Sequence, residues 1–268
     1  MTSVGIIGNG YVGGAIAAYF DKREGIDVFV SDVDPDRARN TFIEAAFANF
    51  IFVCVPTPTN DYGDQDLEAL KSVCHKLQIL ANVHKKTLGP VIVKSTVLPG
   101  TCRSLSETFA PDLPIIFWPE FLTARTAEAD FAVQVGSIIL GGEGRVLSHV
   151  VDFLSRFWWS VSRYSWEEAE MIKYVRNTFY ALKVAHFNEI KRLCDATELD
   201  YDTMVGGALA GGWINPMHTK VPGPDGKLGF GGACLPKDSE ALVRYALRTT
   251  GLPILTAALK SNKEIRDE

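Results

Sequence analysis

Short apolar runs rich in β-branched and aromatic residues recur along the first half of the chain, separated by stretches whose apolar positions repeat every three to four residues. The runs at residues 4–7, 28–31, 50–55, 91–94, 115–117 and 138–140 are nearly continuous rather than alternating, which predicts strands buried on both faces of a parallel sheet. Strands interleaved with amphipathic helices make a doubly wound α/β domain. After Trp158 and Trp159 the period changes: Ser165-Trp166-Glu167-Glu168 is a capping box, and neither Gly nor Pro interrupts the segment from there to about Cys194. A long helix is expected there, with Met171, Ile172, Val175, Phe179 and Leu182 supplying its packing. Residues 206–232 are rich in Gly and Pro and read mostly as loop, and 238–250 and 255–268 as helix. The expected architecture is an α/β fold: a doubly wound Rossmann-type parallel sheet in residues 1–164, then a smaller all-helical domain built around the long helix in residues 165–268.

Composition narrows the classes without choosing among them. A chain of 268 residues with 47% hydrophobic and 22% charged residues is a folded globular protein of one or two domains. Its 27 Lys and Arg against 32 Asp and Glu give a net charge of −5, which offers no electrostatic footprint for nucleic acid or an acidic membrane face. The five cysteines are scattered, with no C-x-x-C pair, so neither a disulfide framework nor a metal site is expected. With no basic-then-apolar leader and no apolar run long enough to span a bilayer, the expectation is an unprocessed cytoplasmic protein.

Chemistry enters at four places. Gly8-Asn9-Gly10-Tyr11-Val12-Gly13 follows the first strand and opens a helix, and Asp32 lies 19 residues past Gly13 at the end of the second strand. That is the dinucleotide fingerprint in its required context: glycines for the turn and the close approach, a helix N-terminus for the pyrophosphate, and an acid for the ribose hydroxyls, which favours NAD over NADP. Val55-Pro-Thr-Pro-Thr59 and Lys94-Ser-Thr-Val-Leu-Pro-Gly-Thr101 each follow a strand, where a doubly wound sheet binds its ligand, although Pro and Thr also serve ordinary turns. Glu120 ends the next strand, as a site carboxylate or a capping acid. On the long helix Lys173 and Asn177 share a face; they are either a pair of donors for a developing oxyanion or a solvated pair on an exposed stripe. Finally, Gly229-Phe-Gly-Gly-Ala-Cys234-Leu-Pro-Lys-Asp238 is a glycine-rich loop that runs through a cysteine into a helix. A thiol beside a helix N-terminus and a lysine is suited to act as a nucleophile, whereas the other four cysteines lie in apolar or helical runs and read as core.

Taken together, these residues resemble the UDP-glucose/GDP-mannose dehydrogenase family, from Val4 to about Lys263. The resemblance implies an NAD-dependent four-electron oxidation of a nucleotide sugar C6 alcohol, most naturally UDP-glucose, in a homodimer joined through the long helix. By the same resemblance Cys234 forms a thiohemiacetal and then a thioester, Lys173 and Asn177 stabilise the C6 oxyanion, Asp238 holds or activates the water, Thr96 positions it, and Glu120 is acid/base at hydrolysis. Thr59, Thr96 and Lys237 match positions near the cofactor, beside Gly8, Gly10, Tyr11, Val12, Gly13 and Asp32. Gly231 lets the backbone close on the sugar, completing a substrate set with Glu120, Lys173, Asn177 and Cys234.

The departures from the family pattern are specific. The chain reads as a compact form without the family's third, nucleotide-gripping domain. Thr123 and Ala124 stand where Arg-Glu is common, and Arg125 does not replace them; Trp213 lies near a common arginine, and the loop from His218 to Gly226 is longer, with Lys220 or His218 available for a sugar or phosphate contact. Two other readings stay open: a two-electron hydroxy-acid dehydrogenase of the 6-phosphogluconate or hydroxyisobutyrate type, which has no use for a nucleophilic thiol, and a non-catalytic binder of NAD or a nucleotide sugar.

Overall fold

The structure is a computed structural model and describes residues 1–60, 64–123, 125–133 and 137–266. Ala124 therefore lies outside the described residues. The chain divides into two compact units, the first comprising Met1–Asn60 and Gln65–Lys173, the second built on Tyr174–Glu268 and joined by Asp64.

The first unit runs β1 (Thr2–Ile7), α1 (Tyr11–Phe20), β2 (Ile26–Ser31), α2 (Phe42–Ala46), β3 (Phe50–Val53), α3 (Glu68–His84), β4 (Val91–Val93), α4 (Thr101–Phe109), β5 (Ile115–Phe117), α5 (Ala127–Val133), β6 (Ile138–Gly141), α6 (Gly144–Leu154) and β7 (Val161–Tyr164). The sheet order is β2-β1-β3-β4-β5-β6-β7. Pairing is parallel from β2 through β5 and again between β6 and β7, while β5 and β6 are antiparallel. This is the doubly wound α/β architecture expected from the strand pattern, except that β6 runs antiparallel to β5 where an all-parallel sheet was expected. β3 ends at Val53, short of residue 55, and β7 has no counterpart among the expected strands, because its Ser162 and Arg163 interrupt any apolar run.

Burial on both faces explains the continuous apolar strands. Phe50 and Phe52 of β3 point into one core with Phe20, Trp118 and Phe153, while Ile51 and Val53 point into the other with Leu70, Leu77 and Phe109. Only glycine fits where helices approach the sheet most closely: a Cβ on Gly5 of β1 would stand 1.9 Å from the Ala45 carbonyl oxygen of α2.

α7 (Trp166–Ala196) begins in the first unit and continues into the second, followed there by α8 (Tyr201–Leu209), α9 (Leu235–Ala246) and α10 (Pro253–Arg266). The expected capping box is formed: the Ser165 N–H and hydroxyl donate to Glu168 Oε2, and the Glu168 N–H donates back to Ser165 Oγ. α8 was not anticipated, since its glycines Gly206 and Gly207 read as loop; Asp200 caps it by accepting from the Thr203 N–H.

The expected packing face of α7 needs correction. Val175 and Phe179 are more than half exposed, and Met171, Ile172 and Leu182 only partly buried, whereas Glu170, Lys173, Asn177, Thr178 and Asn188 are buried. The reason is visible at Glu170. Helix α4 starts at Gly100, which has no capping side chain, and Glu170 takes that role from another helix by accepting from the N–H groups of Gly100 (2.6 Å) and Cys102 (2.7 Å).

Burial pushes Glu170 up to about 7, against the pull of the Cys102 and Gly100 hydrogen bonds. A carboxyl raised on folding binds a proton that the unfolded chain has already released, so its contribution to stability falls as pH rises from about 4.5 to 7. Urea melts of Glu170→Gln against wild type should therefore show the difference moving in the variant's favour across that interval; a pH-independent difference would contradict the assignment.

Candidate active site

In the first unit the glycine motif forms the turn between β1 and α1. Gly8 has φ +97°, and a Cβ on Gly13 would stand 1.9 Å from the Gly8 carbonyl oxygen, so both positions are fixed by the backbone. Gly10 differs: it caps α1, has ordinary extended geometry, and a Cβ there would meet no protein atom within 4 Å. The open space beside it is a cleft of about 750 Å³ whose lining includes Asn9, Gly10, Tyr11, Arg37 and Arg125. Val12 instead packs against the core, leaving its backbone as the part that faces the turn. Asp32 is held beside this turn by the N–H groups of Asn9 (2.5 Å) and Asp34 (2.9 Å). Burial acts to raise its carboxyl, but those amides and Arg37 hold it below the usual range, so it remains an anionic acceptor. An open helix N-terminus next to an ionised acid is the donor and acceptor set that a dinucleotide's pyrophosphate and ribose require.

Three loops leave β3, β4 and β5 at their carboxyl ends and are tied to one another. The Thr57 hydroxyl and the Gln65 amide Nε2 donate to the Thr96 carbonyl (2.6 and 2.7 Å), and the Ser95 hydroxyl donates to the Val55 carbonyl (2.6 Å). Thr59 pairs with Gln65 in an isolated bridge. Glu120 is buried; its Oε1 accepts from the N–H groups of Phe121 (2.6 Å) and Leu122 (2.8 Å), and its carbonyl accepts from the Lys173 ammonium. Lys94, which the sequence presents only as the end of a strand, is buried 2.9 Å from Glu120 Oε2. Cys54 nearby is no nucleophile: burial pushes its thiol up to about 12, with Lys94 pulling it down less strongly.

In the second unit Cys234 is exposed and is the N-cap residue of α9. Beneath it in the same helix, Asp238 is 1% exposed, with Asn177 Nδ2 donating to Oδ2 (2.6 Å) and the Lys237 ammonium to Oδ1 (2.6 Å). Asn177 and Lys173 are thus buried groups, and the solvated-pair alternative does not hold. With one amide hydrogen committed to Asp238, Asn177 is fixed in orientation and presents its second N–H elsewhere.

The residues that hold the cysteine loop were not singled out beforehand. Asn188 Oδ1 accepts from the Gly229 N–H (2.8 Å), and Asn262 accepts from the Phe230 N–H (2.6 Å) while donating to the Phe230 carbonyl (2.9 Å). Arg266 donates to the carbonyls of Leu228 and Gly229, and a Cβ on Gly231 would stand 2.4 Å from its guanidinium. The Arg266 guanidinium thus lies directly against Gly231. The one available signal was chemical: buried carboxamides on helices α7 and α10 are suited to pair with irregular backbone.

Residues 37–156 match the profile of the UDP-glucose/GDP-mannose dehydrogenase family's NAD binding domain, and residues 167–264 match that of its central domain. The chain belongs to the UDP-glucose/GDP-mannose dehydrogenase family. It is 30% identical over 243 residues to the GDP-mannose 6-dehydrogenase of Pseudomonas syringae pathovar tomato, covering 84% of this chain and 53% of that protein. The UDP-glucose 6-dehydrogenase AglM of Haloferax volcanii is 29% identical over 297 residues, covering 90% of this chain and 64% of that one. The solved structure of a UDP-glucose dehydrogenase from Pyrobaculum islandicum superposes with a TM-score of 0.86 at 26% identity, over 98% of this chain and 68% of its own. This family member thus spans about half the length of the first curated relatives it matches. It carries the family's NAD-binding domain, and the turn at Gly8 to Gly13 with Asp32 fits that cofactor.

The two kinds of glycine separate by experiment. Gly10→Ala should leave the melting temperature within about 2 °C of wild type yet weaken NAD binding at least tenfold by fluorescence titration, whereas Gly13→Ala should lower the melting temperature markedly because a backbone contact must give way. Equal effects of the two on stability would contradict the open space at Gly10.

Proposed function

We propose that this protein is an NAD-dependent nucleotide-sugar 6-dehydrogenase that carries a C6 alcohol through to the carboxylate, with UDP-glucose as substrate and UDP-glucuronate as product. The observation that carries the reading is the exposed Cys234 at the N-cap of α9, with Asp238, Asn177 and Lys237 joined behind it. A two-electron hydroxy-acid oxidation has no task for such a thiol. The nucleotide-sugar relatives support the substrate class and include both GDP-mannose and UDP-glucose enzymes.

In this reading residues 1–164 hold NAD through Gly8, Gly10, Tyr11, Val12, Gly13, Asp32 and Thr59, with Thr96 and Lys237 near it, and residues 165–268 carry the cysteine loop. NAD, when bound, accepts a hydride in each of two oxidations. Lys173 and Asn177 stabilise negative charge on the C6 oxygen as it develops. The Cys234 thiolate adds to the aldehyde carbon, forming a thiohemiacetal whose oxidation leaves a thioester, so the aldehyde stays bonded to the protein between steps. Water then adds to the acyl carbon, with Thr96 positioning it, Asp238 holding or activating it and Glu120 acting as acid/base, and the carbon–sulfur bond breaks to return Cys234. Gly231 closes the loop on the sugar.

The protein acts in this reading as a cytoplasmic homodimer. The five cysteines are all unpaired thiols, and no helix among the described residues is long and apolar enough to cross a membrane. Val175, Phe179 and Leu193 lie exposed on α7, the last two separated by two heptads, suited to a second copy of the helix.

With limiting UDP-glucose and, separately, GDP-mannose, absorbance at 340 nm run to completion should give two NADH per UDP-glucose, and Cys234→Ser should form no acid. One NADH per sugar would sink the four-electron mechanism, and full turnover with GDP-mannose alone would reassign the substrate. For the assembly, light scattering should report a dimer in wild type and a monomer in Phe179→Glu; a wild-type monomer at micromolar concentration contradicts that role of α7.

A further inference from the structure

The cleft beside Gly10 has two walls, both from the first unit. One is the turn at Asn9 and Gly10 with the start of α1; the other is the segment from Arg125 to Ala129 that leads into α5. At about 750 Å³ the space is of the size that encloses a small ligand. The second wall is built on a frame. The Asp130 carboxylate accepts from the Thr123 N–H (2.9 Å) and the Thr126 hydroxyl (2.8 Å), on either side of Arg125. Phe131, fully buried, meets Tyr19 of α1 edge-on, with ring centres 5.4 Å apart. Arg125 is therefore carried on a segment fixed to the same helix whose N-terminus forms the first wall.

Arg37, Arg125 and Glu128 are the charged side chains that line the cleft. Two of them are already matched: Arg37 pairs with Asp34 at 3.2 Å, and Glu128 lies 4.0 Å from Lys22. Arg125 is the exception, since among the described residues no hydrogen bond or ion pair engages it. An unmatched guanidinium on an open surface is ordinary. One that lines the same cavity as an uncapped helix N-terminus is not, because both attract the same kind of ligand group, an anion.

The chemistry of NAD divides along this cleft. Asp32 accepts from ribose hydroxyls and so fixes the adenosine end. The part next along the molecule is the anionic pyrophosphate, which the backbone amides at the start of α1 meet from one side. Its other side is left to water unless a side chain from the α5 wall reaches it, and a guanidinium offers phosphate oxygens a planar pair of donors. We propose that Arg125 binds the pyrophosphate of NAD, closing from the α5 side the anion site opened by Gly10 and the start of α1. This inference rests on the cofactor part of the proposed function and is independent of the thioester chemistry. It makes the ligand class of this half of the cleft a nucleoside diphosphate: ADP and ADP-ribose share the pyrophosphate, lack nicotinamide, and compete with NAD.

Calorimetric titration of the full chain with NAD, ADP-ribose and ADP tests this without any turnover. Arg125→Gln should weaken all three by a similar factor, about five- to tenfold in low salt, and Arg125→Lys should weaken them less. The melting temperature of the unliganded Arg125→Gln variant should stay within about 1 °C of wild type, since no protein contact is lost. Because the guanidinium is exposed, the deficit should shrink to about twofold or less in roughly 0.5 M salt. Unchanged NAD binding in Arg125→Gln overturns the proposal. So does a deficit with NAD but not with ADP, which would put Arg125 against the nicotinamide half, and so does a deficit that salt does not reduce, which would make its role one of packing. A wild-type chain that binds none of the three ligands overturns the cofactor reading as well, whereas wild-type binding that survives Arg125→Gln overturns this inference alone.

Discussion

Parallel pairing of β2, β1, β3, β4 and β5 sends all five carboxyl ends to one edge of the sheet. Everything chemical in the first unit follows from that constraint. The turn after β1 and the acid after β2 meet because their strands are neighbours, and the loops after β3, β4 and β5 are close enough to trade side-chain and carbonyl hydrogen bonds. The same arrangement traps Lys94 among them: a strand end covered on both sides cannot extend its side chain into water, so its charge must be met by an internal carboxylate.

The strands and the glycine turn were legible because both are written in local, repetitive terms: an apolar run for a strand covered on two faces, a fixed glycine spacing for a helix that starts close to a strand. The last strand was not. β7 has four residues, none fully buried, and its pairing with β6 depends on a neighbour rather than on its own composition. Cys234 was legible for a different reason, since a glycine-rich approach to a helix start leaves a side chain at that position outside the core.

Helix α7 shows where pattern reading fails on physical grounds. Periodicity reports that a helix has two unlike faces; it does not report which face is inside. Beside the buried Tyr174, Ala181, Ala185 and Phe187, polar residues also face inward because each has a specific partner: Glu170 the start of α4, Lys173 the Glu120 carbonyl, Asn177 the Asp238 carboxylate, and Asn188 the cysteine loop. Those partners lie far away in sequence, and Lys94 escaped notice for the same reason: a lysine after a strand reads as solvated until its acid is located.

The anchoring of the cysteine loop by Asn262 and Arg266 makes the place of Cys234 depend on a neighbouring helix. These two residues have no part in the proposed reaction, yet they fix the backbone on which Cys234 stands. Substitutions that dislodge α10 would therefore spare every group of the proposed reaction and still release the backbone that carries Cys234, so damage in this helix is felt well away from where it falls.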